Sequence, residues 1–98
     1  EAWAAEVAAQ EKVGFIDLNE LVARKHDELG HDAVMKLFPQ VTPDEHTHPN
    51  LAGATLNAEI VVSGIKMLHE DRLASFLNAK GKAIAPADLS KPAPAAAK

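Results

Sequence analysis

Residues 13–17 read Val13-Gly14-Phe15-Ile16-Asp17, and the predicted fold class depends on this short apolar run. A run of this length is typical of a strand that is buried on both faces of a parallel sheet. Gly14 would let another part of the backbone come close. No other segment has this pattern, so the partner strands are expected to lie outside this chain. The sequence thus predicts one short parallel strand in a chain that is otherwise mostly helical.

Helical patterns lie on both sides of this run. Residues 2–11 are rich in alanine and are predicted to be the end of a helix. Asp17 is predicted to begin the next helix, because Asp17 and Glu20 have the spacing of an N-terminal capping box. That helix is expected to end near Gly30, a residue that tolerates a left-handed backbone, and residues 31–38 are expected to form another short helix.

The longest helix is predicted for residues 51–68, with Asn50 as its N-cap. Its apolar residues form two stripes, so we expect it to be clamped between neighbours. The first stripe is Ala54, Ala58, Val61, Val62, Ile65 and Leu68, and the second is Leu56, Ile60 and Met67. Another short helix is expected over residues 72–79. We therefore assign residues 1–79 to one folded segment and residues 80–98, rich in alanine, proline and lysine, to an extended, flexible tail.

The composition argues against several classes of function. The chain has 98 residues, enough for one small domain, and a net charge of −4. Its ten Lys and Arg residues are spread along the chain and do not form a basic stripe, so nucleic acid is not an expected partner. No apolar run approaches the ~20 residues that span a bilayer, so a membrane is not expected either. Cysteine is absent, which excludes disulfides and a thiol nucleophile. Because the first residue is Glu1, we expect a piece of a longer product.

Titratable side chains crowd into residues 44–48, which read Asp44-Glu45-His46-Thr47-His48. A carboxylate that hydrogen-bonds one imidazole nitrogen leaves the other nitrogen able to take a proton from a nucleophile. Glu45 and His48 are three residues apart on a predicted loop and could form such a pair. Asp44, four residues before His48, is the rival carboxylate.

The same loop allows two other interpretations. His46 and His48, with Asp44 or Glu45, could offer two nitrogens and an oxygen to a zinc ion. Alternatively, the loop is only a polar surface segment whose histidines have a structural role. Both belong to a non-catalytic helical binding module. The remaining histidines, His26, His31 and His69, lie in or beside helical stretches and are predicted to be surface residues or caps.

Residues 44–50, called the histidine loop from here on, and their surroundings resemble the SGNH (GDSL-type) hydrolases, in particular their rhamnogalacturonan acetylesterase-like branch. The last conserved block of that family is written Asp-x-x-His, and it often reads Asp-His-Thr-His followed by Gly-Ala. Similar segments here are Glu45-His46-Thr47-His48, Asn50-Leu51-Ala52-Gly53-Ala54, Phe15-Ile16-Asp17-Leu18, Lys36-Leu37-Phe38 and Leu56-Asn57-Ala58-Glu59-Ile60-Val61. The resemblance covers roughly residues 3–68.

The resemblance implies an α/β fold, namely the C-terminal part of a three-layer αβα sandwich of the SGNH and flavodoxin-like type. In this chain that part would be mostly helical, with one short parallel strand. The serine nucleophile of the family lies in an N-terminal Gly-Asp-Ser block, and its oxyanion donors lie in middle blocks. None of these blocks is present here. The implied partner is therefore the N-terminal part of the same domain, in the same gene product or in a companion chain.

The resemblance also implies a function, a carbohydrate esterase that removes acetyl groups from plant cell-wall polysaccharide of the rhamnogalacturonan or xylan type. His48 matches the general base, and Glu45 matches the acid that orients it, where the family usually has Asp. The implied substrate is an acetylated polysaccharide or oligosaccharide, and no metal or organic cofactor is required. The family implies a secreted or periplasmic protein. Without a nucleophile, the chain alone is expected to be inactive.

Overall fold

The computed structural model describes residues 2–42, 45–68 and 72–95, and this part of the chain is helical with irregular connections. The helices are α1 (Ala2–Glu11), α2 (Leu18–Leu29), α3 (His31–Met35), α4 (Leu51–Met67) and α5 (Ala79–Ala83), with a 3₁₀ helix (Arg72–Phe76) between α4 and α5. Helix α2 packs against α3 and α4, and α4 also contacts the 3₁₀ helix. The arrangement is thus centred on the α2–α4 pair.

The predicted α/β fold is wrong. The described residues contain no strand, and 61% of them are helical, so this chain is not an αβα sandwich. Main-chain groups at both ends of residues 13–17 bond locally instead, because the N–H of Val13 donates to the carbonyl of Ala8 at 3.0 Å and the N–H of Leu18 donates to the carbonyl of Ile16 at 2.9 Å. A strand needs a partner strand for its main-chain groups. Without one, the apolar run forms an irregular connection between α1 and α2.

Part of this connection packs against α4: Phe15 and Ile16 are half-buried, whereas Val13 is 61% exposed. Ile16 lies against Gly64 of α4, so closely that a Cβ atom built on Gly64 would come within 2.5 Å of Ile16 Cγ2. Leu21 of α2 borders the same glycine, and only 9% of its surface is exposed. Gly64 therefore lets α4 come close to both the connection and α2.

The predicted helix ends are confirmed at three positions. Asp17 caps α2, since its Oδ1 accepts a hydrogen bond from the N–H of Glu20 at 3.1 Å. Asn50 caps α4 by accepting a hydrogen bond from the N–H of Gly53 at 2.9 Å. Gly30, which ends α2, has a φ of 85°. These three helix ends could be predicted from the sequence because each depends on one residue and its nearest neighbours.

Of the residues in the two predicted stripes of α4, Ile60 is buried, and all the others except Ala54 and Ala58 are half-buried. Ile60 is 8% exposed, and Gly53 and Gly64 are buried beside it along the same side of the helix. In the first stripe, Ala54 and Ala58 are exposed. One side of α4 is thus covered by α2, while the other side is only partly covered by the described residues.

Residues beyond α5 run along the α2–α4 pair. The N–H of Ala87 donates to the carbonyl of Ser63 at 2.9 Å, and Arg24 Nη1 donates to the carbonyl of Lys91 at 2.6 Å. Lys66 of α4 donates through Nζ to the carbonyl of Lys82 at 2.7 Å and also to that of Ile84.

None of the helices in the described part of the chain is long and apolar enough to cross a membrane.

Candidate acid–base site

The histidine loop is closed at its C-terminal end by Asn50. The N–H of Asn50 donates to the carbonyl of Leu37 at 2.9 Å, and its side-chain Nδ2 donates to the carbonyl of Lys36 at 2.8 Å. The Oδ1 of the same side chain accepts the N–H of Gly53, as the cap of α4. One residue therefore joins the end of α3, the end of the loop and the first turn of α4.

Gly53 allows this closure because it has no side chain. A Cβ atom at this position would overlap the main-chain oxygen of Leu37 and lie 2.9 Å from Cβ of Pro49. The carbonyl of Leu37 is held in turn by the N–H of Asn50. The first turn of α4 thus lies directly on the backbone that leads into the histidine loop.

Asn50 stabilises the fold in two ways, through the cap that its Oδ1 provides for α4 and through the hydrogen bond that its Nδ2 donates to Lys36. We expect Asn50→Ala to lower the free energy of unfolding by about 1–2 kcal/mol for the lost cap, and by a further ~0.5–1.5 kcal/mol for the lost bond to Lys36. Asn50→Asp keeps an acceptor for the N–H of Gly53 and loses only the Nδ2 donor. Urea unfolding should therefore rank wild type above Asn50→Asp and Asn50→Asp above Asn50→Ala. Equal midpoints for the two variants would contradict the assigned cap.

Glu45 is held by the backbone of its own loop. Its Oε1 accepts hydrogen bonds from the N–H of Thr47 at 2.7 Å and from the N–H of His48 at 2.9 Å. Its side chain is 24% exposed, which is far less than that of His48 at 81%. A carboxylate that accepts two main-chain N–H groups has a fixed position. Glu45 is therefore the ordered member of the pair.

The imidazole of His48 faces this carboxylate with one nitrogen. Nδ1 lies 3.5 Å from Glu45 Oε1. A carboxylate beside Nδ1 favours the tautomer that carries its proton there, which leaves Nε2 as the basic nitrogen. The structure thus brings together two of the three predicted site residues. Asp44, the third, lies outside the described residues, so its competition with Glu45 for His48 remains a prediction.

The hydrogen bonds also change the acidity of Glu45. Donation from the N–H groups of His48 and Thr47 lowers the pKa of this carboxyl below its ordinary value of 4.5, and the nearby imidazole lowers it further. Hydrogen bonds to the charged form of an acid favour that form. Glu45 therefore stays ionised through the mildly acidic range, where it can still hold His48.

This lowered pKa predicts a pH dependence of stability. Because Glu45 has a lower pKa in the folded protein than in the unfolded chain, it stabilises the fold above the unfolded value, and that contribution is lost as the pH falls through the folded value. Wild type should thus unfold at higher urea than Glu45→Gln near pH 7, and the gap should close below pH 4.5, the ordinary pKa of this carboxyl. Asp32→Asn makes the same change of charge at a fully exposed site and serves as the control. If the difference in urea midpoint between wild type and Glu45→Gln stayed constant on acidification, it would contradict the hydrogen bonds from Thr47 and His48 to Glu45.

The described residues do not form a metal site. Among residues 2–42, 45–68 and 72–95, no group of three or more His, Asp or Glu side chains comes together in a way that could hold a metal ion. The predicted zinc alternative that includes Asp44 falls partly outside these ranges.

The hydroxyl groups of all three serines are engaged elsewhere. Ser63 Oγ donates to the carbonyl of Ile60 at 2.6 Å, and Ser75 Oγ donates to that of Arg72 at 2.7 Å. Ser90 Oγ donates to Asp88 Oδ1 at 2.5 Å. Each bond is made to a residue two or three positions earlier in the chain. None of the three serines is paired with His48.

A cleft of about 280 Å³ lies beside the histidine loop, between α2 and the start of α4. Its walls are mainly apolar, and a few polar side chains are set into them. The residues that line it are Leu18, Val22, His26, Leu37, Phe38, His46, Thr47, Pro49, Gly53 and Asn57. The sequence predicted His26 to be a surface residue or a cap and gave no role to Asn57. Their proximity depends on how α2 packs on α4, which no local pattern reveals.

Comparisons with known protein families, with curated proteins and with solved structures found no match to this chain.

Proposed function

We propose that this chain supplies the general base and its orienting acid to a carbohydrate esterase that removes acetyl groups from polysaccharide. His48 is the base and Glu45 is the acid. The observation that carries the proposal is the position of Glu45 Oε1, which accepts two loop N–H groups and lies 3.5 Å from His48 Nδ1. The resemblance of residues 45–54 to the last block of the SGNH hydrolases is in keeping with the same roles.

The proposal rests on the site and not on the fold, because the described residues lack the sheet that the resemblance implied. It also requires a nucleophile from other residues. The hydroxyl groups of all three serines of this chain donate elsewhere, while His48 is 81% exposed and accessible to another part of the protein. We therefore assign the serine and its oxyanion donors to a region beyond these residues, in the same product or in a companion chain.

In the proposed reaction, the serine attacks the carbonyl carbon of the acetyl ester while Nε2 of His48 takes its proton. The protonated imidazole is stabilised by Glu45 and then gives that proton to the sugar oxygen as the ester bond breaks. A water molecule, deprotonated by the same nitrogen, attacks the acetyl-serine and releases acetate. The proton taken from water passes from Nε2 of His48 to the serine oxygen as acetate leaves, which restores the free serine and the neutral imidazole.

Ester hydrolysis by the complete protein that carries these residues tests the proposal. Acetylated pectin and acetylated xylan are the substrates, and acetate release is the measured quantity. Activity that depends on His48 and Glu45 supports the proposal. Absence of acetate release from both substrates and from a small aryl acetate would contradict it, and it would favour a non-catalytic binding module instead.

A further inference from the structure

Two polar side chains in the cleft beside the histidine loop have no assigned role. They are His26 of α2 and Asn57 of α4, and both are half-buried. Within the described part of the chain, neither side chain makes a hydrogen bond to another residue. No side-chain nitrogen or oxygen of the described residues is both buried and unpaired, so solvent or a ligand reaches these two groups. The cleft therefore presents an imidazole and an amide that are able to bond something else.

The remaining walls are apolar. Leu18 and Val22 of α2 line one side, and Leu37 and Phe38 line another. Clefts with apolar walls and a few convergent polar groups are the usual form of a small-molecule site. At about 280 Å³ this one lies just below the ~300–1,000 Å³ that accommodate drug-sized ligands, so its volume suits a single small ring better than a chain.

We propose that this cleft is a subsite for one pyranose unit of a carbohydrate. A pyranose has apolar C–H faces that can lie on the aromatic and aliphatic walls, and a ring of hydroxyl groups. The amide of Asn57 has both a donor and an acceptor and can bond two neighbouring hydroxyls, while His26 can bond a third. A purely apolar ligand would leave both polar groups unpaired, which is costly in a half-buried site.

The position of the cleft connects it with the acid–base pair. Thr47 lines the cleft, and the N–H of the same residue donates to Glu45 Oε1. A sugar bound there would contact the loop that carries His48. This inference rests on the proposed function for the identity of the ligand, since it places a sugar unit of the acetylated polysaccharide next to the base.

Binding can be measured by NMR titration of the complete protein with methyl β-D-glucopyranoside and methyl β-D-xylopyranoside. We expect saturable shifts of the Asn57 side-chain amide and the His26 ring. Cyclohexanol, a ring of similar size with one hydroxyl, should bind more weakly than either sugar. Asn57→Ala and His26→Ala should each weaken sugar binding by about 2- to 12-fold, the equivalent of one neutral hydrogen bond. Asp27→Ala, beside His26 on α2 but outside the cleft, is the matched control and should bind as wild type does.

The inference is overturned by the absence of saturable shifts, by cyclohexanol binding as tightly as the sugars, or by unchanged affinity in both cleft variants. Asn57→Asp, nearly the same in shape, replaces Asn57→Ala if the latter does not fold. The titration does not involve a nucleophile, so it separates the two proposals. Sugar binding without acetate release would contradict the proposed esterase but support the subsite. Acetate release that depends on His48, without sugar binding, would support the esterase but contradict the subsite.

Discussion

Replacing His48 by alanine in the complete protein is expected to lower kcat/KM for ester hydrolysis by about 10²- to 10⁴-fold. The reason is that Nδ1 of His48 faces Glu45 at 3.5 Å, which leaves Nε2 of this imidazole as the nitrogen that can take a proton from an incoming hydroxyl. The loss should appear in kcat, because proton transfer belongs to the transition state and not to substrate binding. Acetate release from acetylated polysaccharide, followed at several substrate concentrations, measures both parameters.

His31→Ala is the matched control for this variant. The side chain of His31 is also highly exposed and also lies beside a carboxylate, with Nδ1 3.3 Å from Asp32 Oδ1. It differs in belonging to α3 and not to the histidine loop. Removing it should leave kcat within about twofold of wild type, because the imidazole of His31 takes no part in the proposed proton transfer. Equal losses in the two variants would show that the effect is not specific to the proposed base.

Replacing Gly53 by alanine is expected to have the largest effect on the fold. Helix propensity alone would make alanine more favourable than glycine by about 1 kcal/mol. The added Cβ would overlap the carbonyl oxygen of Leu37, a main-chain atom that also binds the N–H of Asn50. Forcing atoms into a packed contact costs about 1–3 kcal/mol, so the net change should be destabilising. Among the described residues, the buried apolar side chains are Ala8, Leu21 and Ile60, so this small core has little stability to lose.

Chemical unfolding followed by circular dichroism measures this change. Ala52→Gly, at the exposed neighbouring position in the same turn, measures the effect of helix propensity alone, because this position does not contact Leu37 as Gly53 does. We expect Gly53→Ala to unfold at lower urea than wild type, although propensity predicts the opposite sign. An unchanged or higher midpoint would mean that α4 does not lie against the backbone at Leu37.

Local signals in the sequence predicted most of the helices. Asp17, Asn50 and Gly30 each mark a helix end through one side chain or one backbone angle, and α4 was predicted to within one residue of its observed end. The sequence predicted neighbours on both sides of α4, but it did not indicate which residue of the two stripes would be buried. Ile60 is buried because Gly53 and Gly64 on its side let neighbouring segments come close, and this follows from packing.

The strand prediction failed for a related reason. Residues 13–17 have the composition of a buried strand, and Ile16 does pack against α4. Strand geometry, however, depends on a second strand, and the described residues provide none. Burial of a side chain can be inferred from an apolar run, but the backbone conformation depends on which hydrogen-bond partners are present.

For the candidate site, the sequence offered Glu45 or Asp44 as the partner of His48, but it did not indicate how such a pair would be held. Two loop N–H groups fix Glu45, and Asn50 fixes the end of the loop through Lys36 and Leu37. The hydrogen bond from Asn50 to the carbonyl of Lys36 brings the end of the loop back onto α3. These two residues are fourteen positions apart, so no periodic pattern in the sequence reveals their contact. The same closure creates the cleft that contains His26 and Asn57.

Covalent labelling of the complete protein with a fluorophosphonate tests the central claim most directly, because this probe reacts with a serine only when a base activates it. The acid–base assignment predicts labelling of one serine outside this chain, at a rate that His48→Ala lowers by about 10²-fold or more and that His31→Ala leaves unchanged. Absence of labelling in the wild type, or equal rates for wild type and His48→Ala, would contradict it.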